Sequence, residues 1–250
     1  MKKLIYGLKN NSGRNNTGKI TSYHRGSGLK NRYRIVDFFR FIFEKPGKVL
    51  KRLMDPNRSS FIFLVCYSNG ILSFVLGVHS VNIGDFIYSS KGKGSSLGGC
   101  FFLYNILKGS IVHNLEAKPF NGFKYIRSAG SSGVVLNKFN KKYFIVKLPS
   151  GEFRAFLFSN RATIGIVSNL NHRYYNKGKA GVSRFLNIRP HVRGVAKNPV
   201  DHPHGGQTSG GIHPVSPWAR LTKGGKKTLN NLSKKNNLII KRRNFKKRNV

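Results

Sequence analysis

The sequence predicts an all-β protein in which two small barrels are flanked by long, basic, irregular N- and C-terminal extensions. Three observations carry this prediction. Short apolar runs follow one another closely and are split by Gly-, Pro- and Asn-containing turns, the pattern of small barrels. No segment sustains a 3.6-residue apolar period over three turns. Apolar patterning is also confined to the middle of the chain, roughly residues 35 to 182.

The elements follow in order. Residues 1–34 read as a basic arm: "NNSGRNNTGKITSYHRGSGLKNRYR" (Asn10 to Arg34) contains no acid. Burying nothing, it has little to offset its ordering entropy and is expected to order on RNA or DNA. Residues 35–110 form the first barrel. In "SSFIFLVCYSNGILSFVLGV" (Ser59 to Val78) two buried strands meet at Ser68-Asn69-Gly70, where Asn-Gly supplies the positive φ of a tight hairpin. "GKGSSLGG" (Gly92 to Gly99) is a surface loop without the spacing of a phosphate-binding loop. Residues 111–182 form the second barrel, with a short strand near "GSIVHNLEA" and a hairpin in "KKYFIVKLPSGEFRAFLF" (Lys141 to Phe158). That hairpin turns at Pro149-Ser150-Gly151, and Tyr143, Ile145 and Lys147 alternate with Phe144, Val146 and Leu148. Phe61, Phe63, Phe74 and Phe144 are assigned to the core. Residues 183–250 are a Gly/Pro-rich basic extension in which Asp201 is the only acid, ending in "KKNNLIIKRRNFKKRNV" with one short apolar island.

Charge narrows the function. There are 46 Lys and Arg against 7 Asp and Glu, a formal net charge of +39. Such self-repulsion calls for a polyanion, and nucleic acid fits because each neutralised phosphate releases a counterion. A membrane surface is the other polyanion, but no amphipathic helix or lipid-anchor motif is present. The longest apolar run, Phe61 to Tyr67, is far short of the roughly 20 residues of a spanning helix, and the basic start lacks the apolar region of a secretory signal. Cys66 and Cys100 form no C-x-x-C pair and read as buried free thiols.

Several segments then read together: "GRNNTGKIT" (Gly13 to Thr21), "DPNRSS" (Asp55 to Ser60), "RSAGSSG" (Arg127 to Gly133), "LPSGEFR" (Leu148 to Arg154), "RATIG" (Arg161 to Gly165), "GKAG" (Gly178 to Gly181), "RPHVRGVAKNPVDHPHGG" (Arg189 to Gly206) and "PVSPWARLTKGGKKT" (Pro214 to Thr228). In that order they resemble universal large-subunit ribosomal protein two, from about residue 13 to the end. The resemblance implies an oligonucleotide-binding-type barrel followed by an SH3-like barrel, with extended tails. It implies a structural, non-enzymatic component of the large ribosomal subunit that binds large-subunit rRNA early in assembly and helps join the subunits. Its partners are then that rRNA, neighbouring ribosomal proteins and the small subunit. The carboxyl-terminal loop would approach the peptidyl transferase centre, with His202 as a supporting residue there and no catalytic residue in the chain. No cofactor is implied, beyond magnesium ions bridging to rRNA. The rRNA contacts are expected at Arg14, Asn15, Asn16, Lys19, Arg25, Arg58, Arg127, Arg161, Lys179, Arg189, Arg193, Lys197, Asn198, His202, His204, Gly205, Gly206, Trp218, Lys223, Lys226 and Lys227.

The sequence departs from the family in three places. The usual "HPHGGGEGR" is replaced by "HPHGGQTSGG", Lys197 stands where Met is common, and the amino-terminal arm is shorter than in bacterial relatives. The short arm, Phe-rich strands and a lean towards residues with AT-rich codons favour an organelle-encoded mitochondrial protein of the matrix; a plastid or an AT-rich bacterium is the alternative.

The segment "NPVDHPHGGQTSGG" (Asn198 to Gly211) concentrates the residue types of an active site. A metal-dependent hydrolase or transferase would use Asp201, His202 and His204. Such a site needs three or four ligands and oriented acceptors behind them, and Asp201 is the one carboxylate at hand. A general base at His202 would have to lie within hydrogen-bond reach of its proton. The preferred reading is that the histidines and backbone amides contact phosphates and 2′-hydroxyls of rRNA. Asp201 then orients a histidine or caps a turn, and Gly205, Gly206, Gly210 and Gly211 let the backbone approach RNA closely. Two stretches of base, Arg14, Lys19, Arg25, Arg32 and Arg34 in one arm and Arg189, Arg193, Lys197, Lys223, Lys226 and Lys227 in the other, are read as phosphate contacts. Trp218 either stacks on a base or plugs a pocket against the protein's own barrel.

Overall fold

A computed structural model describes residues 2–207, 212–222 and 238–242 of the 250. Lys223, Lys226, Lys227, Gly210, Gly211 and most of the terminal basic run lie outside the described residues. The regular structure of the described chain is mostly strand and forms curled, barrel-type sheets, so the all-β reading holds. Two compact units are present. The first takes residues 1–8, 30–176 and 237–250, and the second takes residues 9–29 and 177–236. The segment read as one arm is therefore shared between the units.

In the first unit, β1 (Ile5–Gly7) pairs with β2 (Arg32–Arg34). A four-stranded antiparallel sheet follows, built from β3 (Gly47–Met54), β4 (Phe61–Tyr67), β5 (Leu72–Leu76) and β6 (Phe86–Ile87) in the order β5-β4-β3-β6. The β4–β5 turn is the expected one: Gly70 has φ +79°, and the Asn69 carboxamide accepts the Ile71 amide at 3.3 Å. The unbroken apolar run of β4 has a physical reason, since both faces are covered. Phe63, Val65 and Tyr67 pack with Val49, Val75, Val78, Val81 and Ile87. On the opposite face Ile62 and Leu64 pack with Val36 and Phe74, and Leu4, Ile5 and Phe38 lie over them. Apolar residues of the basic arm thus contribute to this core. Phe61 does not join it: its ring is half-buried under the Arg52 guanidinium at 5.1 Å.

The second sheet has seven strands: β7 (Cys100–Phe102), β8 (Ile111–His113), β11 (Gly133–Asn140), β12 (Tyr143–Lys147), β13 (Phe153–Leu157), β14 (Arg161–Ile164) and β15 (Ile239–Lys241), in the order β15-β13-β12-β11-β8-β14-β7. Between β8 and β11, β9 (Leu115–Glu116) pairs with β10 (Phe123–Tyr125). Phe144, Val146 and Leu148 enter the core with Phe101, Val112, Leu115, Val135, Phe156 and Ala162, which is the two-residue alternation read from the sequence. This sheet already includes Cys100–Phe102, so its first strand precedes the boundary expected near residue 110. Cys100 is buried and Cys66 half-buried, both as free thiols.

The apolar island of the tail is a strand. Its β15 pairs antiparallel with β13, and the Ala155 amide donates to the Leu238 carbonyl at 2.7 Å. Three apolar residues are too few to read as a strand alone; the free edge of β13 supplies the hydrogen bonds that fix them. One short helix, α1 (Ala180–Phe185), also escapes the periodicity test, being under two turns long. No described helix is long and apolar enough to cross a membrane.

Candidate nucleic-acid interface

In the first unit, Arg58 and Arg127 converge on one ring. Their guanidinium carbons lie 5.4 Å and 5.0 Å from the Phe38 centroid. A cavity of about 500 Å³ opens here, lined by Tyr33, Phe38, Asn57, Arg58, Ser59, Arg127 and Ser128. The backbone positions each part. Asp37 accepts the Phe39 and Arg40 amides at 2.8 and 2.9 Å and so forms the turn that carries Phe38. Buried Asp55 accepts the Asn57 amide at 3.1 Å and pairs with Arg58 at 2.5 Å and with Arg34 at 3.6 Å. The Ser59 hydroxyl accepts the Ala129 amide at 3.1 Å, tying the Arg58 turn to the Arg127 turn. The result is an aromatic floor between two guanidinium groups, which can grip phosphate and stack on bases. Arg58 and Arg127 were expected in such a role; Tyr33 and Phe38 were not, because single aromatics beside a basic stretch read as core.

Arg161 is a correction. Its side chain is only 1% exposed and pairs with Glu116, whose side chain is fully buried, at 2.5 Å. Glu116 also accepts the Arg161 amide at 2.9 Å. The guanidinium lies 4.9 Å from the Phe41 ring, 5.1 Å from Phe120, 5.7 Å from Phe43 and 5.9 Å from Phe123. An arginine enclosed by four rings and a carboxylate holds the interior together and does not face rRNA. Asn15 is exposed, and its Oδ1 accepts the amides of Thr17 and Lys19 and the Thr17 hydroxyl, organising its own loop.

The second unit is built by the arm running beside the segment after α1. The Gly26 amide donates to the Asn187 carbonyl at 3.0 Å, the Leu29 amide to Phe185 at 3.2 Å, and the Arg189 amide to His24 at 2.9 Å. The Asn187 side chain holds the arm twice, accepting from Asn10 at 2.7 Å and from the Gly28 amide. This pairing brings together Arg25 and Arg189, both exposed; Arg14, Asn16, Lys19, Lys179, Arg193 and Asn198 are exposed in the same unit. Basic side chains far apart in the sequence are thereby exposed within one unit.

Within that unit the Asn198–Gly206 loop is internally bonded. The Asn198 carbonyl accepts the Asp201 and His202 amides at 3.0 and 3.2 Å, and the Gly206 amide donates to Lys197 at 3.2 Å. A Cβ on Gly205 would lie 2.4 Å from the Asn198 carbonyl oxygen and 2.5 Å from that of Lys197. This glycine therefore serves close approach of the loop to itself. His202 is 8% exposed, and its Nδ1 accepts the His204 amide at 3.0 Å. That bond places the neutral ring's proton on Nε2. Burial, and then the nearby His204 and Lys197, push the His202 pKa below its ordinary value and so favour the neutral ring. His204 Nε2 lies 3.1 Å from the Val215 amide and 3.0 Å from the His213 carbonyl, and its tautomer sets which of the two it bonds. Both imidazoles thus hold backbone. Asp201 does neither thing expected of it: among the described residues its carboxylate orients no histidine and caps no turn. A group of three or more residues placed to hold a metal ion is absent among the described residues.

The same loop, with the arm, encloses a cavity of about 570 Å³ lined by Tyr23, His24, His191, Val192, Gly194, Lys197, Asp201, His202, Pro217 and Trp218. Trp218 is 66% exposed, 6.3 Å from Tyr23, so it is an open wall and not a buried plug. Tyr23 and His24 belong to this site and were not singled out beforehand, the one available signal being the adjacent Tyr-His pair in an otherwise polar arm; His191 joins them from within the family segment Arg189 to Gly206.

A strongly cationic all-β chain with an arginine–aromatic cleft and a basic surface assembled from its termini defines a nucleic-acid-binding protein. Comparison makes this specific. Residues 1–89 match the model "Ribosomal Proteins L2, RNA binding N-terminal domain", and residues 96–219 match "Ribosomal Proteins L2, C-terminal domain". The chain is similar to large ribosomal subunit protein uL2 of Orientia tsutsugamushi, 47% identical over 247 residues, covering 98% of this chain and 89% of the relative. It is also similar to uL2m of Reclinomonas americana, 44% identical over 245 residues, covering 97% and 88%. To uL2 of Rickettsia peacockii it is 46% identical over 246 residues, covering 97% and 89%. The chain belongs to the ribosomal protein L2 family.

Proposed function

We propose that this protein is a structural, non-enzymatic constituent of the large ribosomal subunit that binds large-subunit rRNA. The observation that carries the reading is the family match across both domains. The cleft where Arg58 and Arg127 flank Phe38 supplies its chemistry. The exposed bases of the second unit add phosphate contacts, made by Arg14, Lys19, Arg25, Lys179, Arg189 and Arg193, with Lys223, Lys226 and Lys227 further along the chain. The finer reading places the His202 loop towards the peptidyl transferase centre, where RNA performs the chemistry. Neutral His202, its free nitrogen already bonded to backbone, supports contact and not proton abstraction. Contacts to neighbouring proteins and the small subunit belong to the same reading.

We assign the chain to a mitochondrial ribosome on its AT-leaning composition and its likeness to the Reclinomonas americana protein. A bacterial ribosome is the second reading, favoured by 47% identity to the Orientia protein. Sedimentation of native extract tests the function: the chain should travel with the large subunit, and a pool found only free or on membranes overturns it. Recovery in purified mitochondria or in bacterial cytoplasm separates the two locations.

A further inference from the structure

Asp201 is the feature the rRNA-binding reading leaves unexplained. Each of the other carboxylates is engaged. Asp37 holds the Phe39 and Arg40 amides, Glu44 the Ser90 hydroxyl and Lys91 amide, and Asp55 pairs with Arg58. Asp85 holds the Asn82 amide, Glu116 pairs with Arg161, and Glu152 lies 4.0 Å from Arg154. The Asp201 carboxylate alone is exposed with no hydrogen-bond or ion-pair partner among the described residues. A bare carboxylate on a cationic surface repels phosphate, so its use must be something other than the RNA backbone.

Its surroundings say what. Asp201 lines the cavity of about 570 Å³, a volume within the roughly 300–1,000 Å³ of small-ligand sites. Half of that lining is aromatic: Tyr23, His24, His191, His202 and Trp218. Trp218 and Tyr23, 66% and 52% exposed, leave ring surface open, and the His24 and His191 rings meet at 4.1 Å, tilted by 34°. Open aromatic faces receive unstacked bases. The polar groups are complementary to one edge in particular. Asp201 offers acceptors, and His202, with Nδ1 committed to the His204 amide, offers an Nε2–H donor. Guanine presents two donors side by side, N1–H and the 2-amino group, next to the O6 acceptor. Adenine and cytosine present an amino group beside an acceptor ring nitrogen, which a carboxylate repels, and uracil presents one imino donor between two carbonyls.

We propose that this cavity seats one unpaired guanine of the bound RNA, stacked on Trp218 or Tyr23, with Asp201 accepting from N1–H and the 2-amino group and His202 donating to O6. The proposal rests on the rRNA-binding reading and names what that site recognises. Asp201 supplies base identity where the neighbouring arginines and lysines supply affinity.

Trp218 is the only tryptophan, so its fluorescence reports occupancy directly. The full chain is titrated with the pentaribonucleotides UUGUU, UUAUU, UUCUU, UUIUU (I, inosine) and UUUUU, which carry equal charge. UUGUU should quench Trp218 and bind about tenfold tighter than UUAUU, UUCUU and UUUUU, the discrimination of a good bidentate base contact. UUIUU, lacking the 2-amino group, should fall between. Asp201→Asn, at an exposed position, should erase the preference for guanine while binding of UUUUU rises slightly, because a charge that repels phosphate is removed. Equal quenching by all five oligonucleotides, or a guanine preference that survives Asp201→Asn, overturns the proposal. Preference of the same chain for large-subunit rRNA over unrelated RNA of equal length is measured in parallel. If that preference holds while the pentanucleotides are not distinguished, the guanine site alone falls; if it is absent, the rRNA-binding reading falls.

Discussion

Glu116→Gln should be among the most damaging single substitutions in this chain. It leaves the shape of the side chain intact and removes one charge from a pair whose side chains are 0% and 1% exposed. The Arg161 cation then has no anion, while four rings continue to exclude water from it. Glutamine can still accept one of the two bonds Glu116 receives from Arg161, at 2.9 Å and 2.5 Å, but its amide nitrogen cannot accept the other. Nε and Nη1 of Arg161 already lack hydrogen-bond partners and rely on the ring faces. Breaking a buried pair by removing one partner costs about 3–5 kcal/mol. At roughly 2–4 °C per kcal/mol for a chain of this size, the melting temperature should fall by roughly 6–20 °C. The assay is thermal and urea unfolding of the purified full chain at moderate salt, followed by far-ultraviolet circular dichroism. The double replacement Glu116→Leu with Arg161→Met removes both charges and should recover most of the loss, because the desolvation penalty disappears with the pair. A loss under about 1 kcal/mol for Glu116→Gln, or a double variant worse than either single one, would refute the reasoning.

Three other outcomes follow from the structure. His113 is fully buried, its Nδ1 2.9 Å from the Gly165 carbonyl, and burial, with Arg40 adding to it, lowers its pKa from 6.5 to about 4. The unfolded chain therefore binds a proton that the folded chain refuses between those values, so this contribution is complete above pH 6.5 and is lost as pH falls to about 4. The loss amounts to about 3 kcal/mol, read from urea midpoints against pH; an unchanged slope in His113→Gln refutes it. Arg127→Ala should weaken rRNA binding on all sequences and lower the slope of log affinity against log salt by about 1. Arg58→Ala should lower that slope less, because Asp55 already offsets its charge at 2.5 Å; equal slopes for both variants contradict this. Gly205→Ala drives a Cβ into two backbone carbonyls. It should open the loop and return the His202 pKa towards its ordinary value, seen by histidine NMR titration, and an unaltered titration counts against it.

The parts legible in the sequence are those set by local chemistry. Asn69-Gly70 and Pro149-Ser150-Gly151 mark turns by themselves, and Phe144, Val146 and Leu148 mark a core face by alternation. The parts that were not legible depend on partners far away in the chain. Arg161 reads as one more surface base until Glu116 and Phe41, Phe43, Phe120 and Phe123 close over it. Leu238 to Ile240 is an island until the edge of β13 gives it hydrogen bonds. Leu4 and Ile5 look like part of a solvated arm until β4 presents its second apolar face. The family segments singled out Arg58, Arg127 and the His202 loop. The rings between and beside them, Phe38 and Tyr23, carry no motif of their own and were found only by geometry.

The distribution of acid explains how so cationic a chain keeps a defined shape. With 7 acids against 46 bases, few charges can be balanced within the protein. The carboxylates are accordingly placed where one negative charge fixes the most structure. Glu116 anchors β9 to the first residue of β14, across the interior. Asp37 and Asp55 act at a distance from each other on one feature: the first forms the turn that carries Phe38, and the second aims Arg58 at that ring. Neither carboxylate is itself available to repel an incoming phosphate, since Asp55 is buried and Asp37 is occupied by two amides. Engaged carboxylates and exposed bases are therefore one arrangement with two consequences. It orders the sheets, and it leaves the cationic surface pre-formed for a polyanion. Asp201 stands outside that arrangement, exposed and unpaired among the described residues beside aromatic walls, so its negative charge matches the amino and imino donors of a base edge and opposes the phosphates on either side.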